Sequence, residues 1–226
     1  MITNANANEG IGVRFDVVRD HLIVRLHRRQ YIEEILPTIP YRQVCDMVEA
    51  VCFALQNNPE KAFLTVTNGM LKEWGISEEE LFRIAVENTV KAKPALMRPL
   101  LDIMAEAGLL PDDTEEELQP EHQLYVVTNP DRLLGAGVIL YPGFLKKAAK
   151  KIGRSFYLIP SSIHEILLLP DTGDVDVDFL KMMINDINRN RVSPEERLSN
   201  HPYRYDCDMH CITNEGTEEK AIYFCE

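Results

Sequence analysis

With 226 residues, 45% of them hydrophobic, the chain can bury a core of its own without disulfides. Its net charge of −12 repels nucleic-acid phosphates and anionic membranes, so neither is expected as a main partner. No run of about 18 apolar residues predicts a membrane span.

Met1 to Gly10 lacks the basic start and apolar region of a signal peptide and reads as a disordered leader of Asn and Ala. The five cysteines, an odd number, then point to a reduced, cytoplasmic compartment. The basic runs are short. His27-Arg28-Arg29 stands alone, and Lys146, Lys147, Lys150 and Lys151 fall on the open side of a helical pattern, where solvation accounts for them.

From Gly12, VRFDVV and HLIVRLH read as two strands of a hairpin broken at Arg19-Asp20. Gln30 to Leu36 suggests a helical turn, stopped by Pro37 and Pro40. Val44, Cys45, Val48, Val51, Cys52 and Leu55 recur at helical spacing and predict a helix over 41–56, with both cysteines on its apolar face. Phe63 to Val66 reads as a strand.

Ser77-Glu78-Glu79-Glu80 is a capping box. The serine takes a free amide at the start of a helix over 78–90. Asn88 lies on that helix's apolar stripe beside Leu81, Ile84 and Ala85. A buried amide needs a partner, either a neighbouring loop or a ligand. The lone tryptophan, Trp74, fits a core staple before this helix. Pro94 can open a further helix ending at Gly108. Pro111 to His122, PDDTEEELQPEH, is acidic and aperiodic and reads as a linker.

Beyond it, Leu124 to Thr128 is a strand. Leu133 to Tyr141 is apolar throughout, and its period does not decide between strand and helix. Leu145, Ala148, Ala149 and Ile152 stripe a helix over 143–152, ended by Gly153. Phe156–Ile159 and His164–Leu169 are strands around a short break at Pro160-Ser161-Ser162. Leu180, Met183, Ile184 and Ile187 stripe a helix over 177–189. After Ser193 little apolar period remains until Ala221 to Cys225.

Two constellations carry possible chemistry. Cys207, His210 and Cys211, with His201 or Cys225 as a fourth ligand, have donor types that could hold zinc, although the spacing is not that of a zinc knuckle. Ser162 and His164 could share one face of a strand as nucleophile and base, with Asn88 and Asn129 as further polar candidates. His164 and Glu165 would then point to opposite faces. No nucleophile elbow or orienting carboxylate accompanies the serine. Gly135 and Gly137 lack the third glycine of a dinucleotide fingerprint.

Thr67 to Thr89, TNGMLKEWGISEEELFRIAVENT, together with Leu124 to Asp171 and Ile184 to Asp206, resembles DUF5688, a family of uncharacterised proteins from Firmicutes. The resemblance covers Phe63 to Asp206, and the stretch before Phe63 reads as shortened against the family. The order of a capped helix with Ala85-x-x-Asn88, then helix and strands, is more distantly similar to DUF1444. The resemblance implies an α+β, cytoplasmic or mobile-element protein and supplies no catalytic residue.

The expected fold is α+β, a mostly antiparallel sheet backed on one face by amphipathic helices. The expected organisation is a leader at 1–10, an N-terminal lobe at 11–110, the acidic linker at 111–122 and a C-terminal lobe at 123–226. The expected function is a non-enzymatic protein-binding factor, such as a regulator or an accessory factor of a phage or mobile element, with no catalytic residue and no cofactor assigned. The alternative is a hydrolase of unrecognised type around Ser162 and His164.

Overall fold

The computed structural model describes residues 12–54, 63–110, 119–217 and 221–225. The leader at 1–10 lies outside them, as does most of the acidic segment at 111–122. The fold is α+β, with every strand pairing antiparallel.

The first sheet is built from β1 (Leu22–Arg28), β2 (Tyr41–Val44), β3 (Met47–Ala54) and β4 (Phe63–Thr65). The central β3 pairs with β1 along its length and, on its other side, with β2 and then β4. The helix expected over 41–56 is therefore a hairpin, with a tight turn at Cys45-Asp46 and Cys45 at φ 52°. The reason is burial. Met47 to Phe53 is enclosed on both faces, so it reads as a continuous apolar run, and chance valine spacing imitates a helical stripe. Its β-branched valines suit the pleat.

The expected hairpin at 12–28 is also different. Phe15–Val18 is a short helix, α1, and only Leu22–Arg28 is a strand. A second short helix, α2 (Arg29–Ile32), follows β1. The helix α3 (Asn68–Trp74) ends at Gly75. The helix α4 (Glu78–Ala92) starts as expected, with Ser77 Oγ accepting from the Glu80 amide at 3.1 Å. Leu81, Phe82, Ile84 and Ala85 pack α4 against Leu22, Val24, Val51 and Phe53.

The second sheet has seven strands, in the order β11-β10-β9-β7-β8-β6-β5. They are β5 (Leu96–Pro99), β6 (Tyr125–Thr128), β7 (Phe156–Ser162), β8 (Glu165–Pro170), β9 (Tyr203–Asp206), β10 (Cys211–Asn214) and β11 (Ile222–Phe224). The helix expected from Pro94 is in fact β5 followed by α5 (Leu100–Glu106), because Leu96–Pro99 pairs with β6. The apolar 133–141 run is neither strand nor α-helix but a 3-10 segment over Gly135–Leu140.

Helices flank this sheet on both faces rather than one. Leu180 and Ile184 of α7 (Val177–Asn190) cover Tyr157 and Ile159. The helix α6 (Phe144–Ile152) joins the 3-10 segment and Phe156 and Leu158 on the opposite face. That core also takes in Ile23, Leu26, Val44 and Met47 of the first sheet, so the two sheets share one interior.

Candidate functional site

Thr128, Ser162, His164 and Glu196 meet at the tip of the β7–β8 hairpin. The tip is the turn at Ile163-His164, so His164 lies in a turn and not on a strand as expected. The end of β6 and the start of the 3-10 segment clamp it on one side. Thr128 Oγ1 donates to the His164 carbonyl at 2.8 Å, the Leu134 amide donates to His164 Nδ1 at 3.2 Å, and the Ala136 amide donates to the Ile163 carbonyl at 3.2 Å. Residues 194–196 clamp the other side. The Ile163 amide donates to the Glu196 carbonyl at 2.9 Å, and His164 Nε2 lies 3.3 Å from Glu196 Oε1.

Because Nδ1 accepts an amide proton, the neutral ring carries its own proton on Nε2, facing the carboxylate. Ser162 Oγ accepts from the His164 backbone amide at 3.0 Å, a local turn contact rather than a contact with the ring. Every polar atom of His164 is thus engaged, and neither ring nitrogen is left to take a proton from Ser162.

The approach of the segments is close. Leu134 and Arg132 both have positive φ, at 58° and 52°. A Cβ on Gly135 would stand 2.5 Å from the His164 carbonyl oxygen, so only glycine fits. Asn129, fully buried, closes its own loop by donating to the Leu133 carbonyl at 2.9 Å. Asn88 is not part of this hub. Its amide donates to the carbonyls of Arg19 at 2.8 Å and Leu22 at 3.2 Å, which fixes α4 to β1.

Cys207, His210 and Cys211 surround the β9–β10 turn. Asp206 Oδ1 shapes that turn by accepting the amides of Asp208 and Met209, both at 2.9 Å. Cys207 faces Ser155, His210 Nδ1 lies 3.2 Å from the Tyr205 hydroxyl, and Cys211 is buried in β10. Burial pushes the Cys225 thiol up to about 12. His201 is turned elsewhere: its Nε2 lies 3.0 Å from Asp46 Oδ2, with the ring N–H poorly aligned on the oxygen. Among the described residues no three His, Cys, Asp or Glu side chains converge as a metal site.

Several charged residues in apolar runs escaped the sequence reading. Glu49, 3% exposed on β3, is pushed up to about 7 by burial, against the opposing pull of Arg42. The Arg42 guanidinium sits over the Phe82 ring at 4.2 Å. His27 is driven down to about 3 by burial and by Arg25. Asp46 accepts from the buried Tyr203 hydroxyl at 2.5 Å, joining the two sheets. The available signal was a charge interrupting an apolar stretch, as in VRLH and MVEAV.

These features define an α+β protein of two antiparallel sheets whose polar hub holds its loops together. The sequence profile of a family of unknown function, DUF5688, matches residues 3–207, and the chain belongs to that family. The match takes in the first sheet. Neither the curated proteins nor the solved structures include a match to the chain. No helix among the described residues is long and apolar enough to cross a membrane.

Proposed function

We propose that this protein acts by binding another protein rather than by catalysis, as a regulator or accessory factor. The observation that carries the reading is His164, whose two ring nitrogens, amide and carbonyl are all committed to holding loops. Ser162, Asn129 and Asn88 are likewise committed to backbone groups. A hydrolase would need at least one of them free to face a substrate.

The surface supports the same reading. The strand β11 ends the seven-stranded sheet and exposes Ile222 at 56% and Phe224 at 66%. Met209, 65% exposed, belongs to the β9–β10 turn at the same end, where the Cys225 amide donates to the His210 carbonyl. An apolar strand at a sheet edge is the kind of surface to which another chain adds.

The test is affinity capture from the native host with wild type and with Ile222→Lys/Phe224→Asp, both checked for unchanged melting. A protein retained by the wild type and lost with the double variant supports the proposal. The same proteins held by both, or a hydrolytic activity abolished by Ser162→Ala, would overturn it.

A further inference from the structure

Arg25 differs from the arginines of this chain that find a carboxylate. Arg98 pairs with Glu106, Arg83 with Glu87, and Arg204 with both Asp171 and Asp206. With 36 acidic residues against 24 Lys and Arg, a guanidinium in this chain has carboxylates in excess to choose from. Among the described residues Arg25 has none, and its Nε, shut off from water, meets no acceptor. The titratable groups that interact with it are the Cys52 thiol, the Tyr31 phenol and the His27 ring. None of these is a carboxylate.

The strand β1 places Arg25 in a cross-strand row with Ala50 and Tyr41, and His27 in the next row on the same face, beside Val48 and Gln43. The Arg29 guanidinium lies over the Tyr41 ring at 5.9 Å and donates to Gln43 Oε1 at 2.6 Å, which brings a second cation to that face. Lys93 also acts on Cys52, but its ammonium is satisfied by Asp131 at 2.8 Å. Among the described residues, Arg25 has no such partner. A guanidinium does not escape burial by losing its proton, and an unpaired buried charge is strongly unfavourable. The residue as a whole keeps partial exposure.

We propose that Arg25 is the centre of a binding site for a small oxyanion, a phosphate or carboxylate group that supplies the missing acceptor. The planar fork takes two oxygens of such a group side by side. Tyr31, 43% exposed and interacting with Arg25, carries a further hydroxyl donor. The inference is independent of any protein partner.

The test titrates the full chain with inorganic phosphate, and separately with acetate, at constant ionic strength maintained by chloride. Thermal melting and the NMR signal of the Arg25 Nε–H are followed. The expected result is a saturable rise in Tm and a saturable shift of that signal with one or both anions. Saturation by phosphate alone assigns a phosphate group, and by acetate alone a carboxylate. Arg25→Met should weaken binding about tenfold or more. In the absence of anion it should melt no lower than the wild type, since an unpaired charge has been removed. Neither anion saturating the wild type would overturn the inference, and so would unchanged affinity in Arg25→Met. The wild-type titration decides the matter even where the variant fails to fold.

Discussion

Gly135→Ala should cost about 2–4 kcal/mol of folding stability. The new methyl carbon would stand 2.2 Å from Thr128 Oγ1, 2.5 Å from the His164 carbonyl oxygen and 2.9 Å from Thr128 Cα. Carbon contacts become favourable only near roughly 3.5 Å. Two of the three atoms are backbone and cannot rotate away. The third, the Thr128 hydroxyl, is fixed by its 2.8 Å bond to the same carbonyl. Overpacking of this kind costs about 1–3 kcal/mol, and losing the Thr128 bond adds about 1 kcal/mol. Denaturant unfolding at neutral pH measures the sum. Gly137→Ala is the control: its added carbon would meet only the Val24 carbonyl oxygen, at 3.9 Å. That change should stay within about 0.5 kcal/mol. Small and equal effects at the two positions would refute the steric clamp.

The pH dependence of stability should show two opposed slopes. Burial raises Glu49 from 4.5 to about 7, so its contribution is fully present below 4.5 and is lost as pH rises to about 7, by at most roughly 3 kcal/mol. His27 is depressed from 6.5 to about 3, so its contribution is present above 6.5 and is lost as pH falls towards 3. Between about pH 5 and 6.5, Glu49→Gln should therefore gain stability with rising pH and His27→Gln should lose it, as read from urea midpoints. Parallel profiles for the two variants would contradict the assignment. Tyr203→Phe removes the 2.5 Å bond to Asp46 and should cost about 1.5–3 kcal/mol, measured by the same unfolding. Chelation with EDTA should leave Tm unchanged, since the Cys207, His210 and Cys211 side chains do not converge. A fall in Tm, with zinc found by elemental analysis, would contradict that geometry.

The helices were legible wherever caps and stripes agreed. Ser77 opened α4, Gly153 closed α6, and the Leu180–Ile184 stripe marked α7. The strand pair β2–β3 was not, because a strand covered on both faces loses its alternation, and the surviving valine pattern fits a helix equally well. The last three strands are only four, four and three residues long. Their signal was present but brief: Tyr203 and Tyr205 face the core while Arg204 and Asp206 alternate with them. The proximity of Ser162 and His164 was readable from spacing, but their roles were not. Those depend on Thr128, Leu134 and Glu196, which arrive from distant parts of the chain through tertiary packing.

The placement of β5 has a practical outcome. Leu96–Pro99 precedes the acidic stretch in the chain, yet its partner, Tyr125–Thr128, follows it. Cutting the peptide anywhere from 111 to 118 would yield two pieces that remain interlocked, one lending an outermost ribbon to the other's sheet while both fill a common interior. The same interval is therefore the natural point at which to divide this protein into complementing halves.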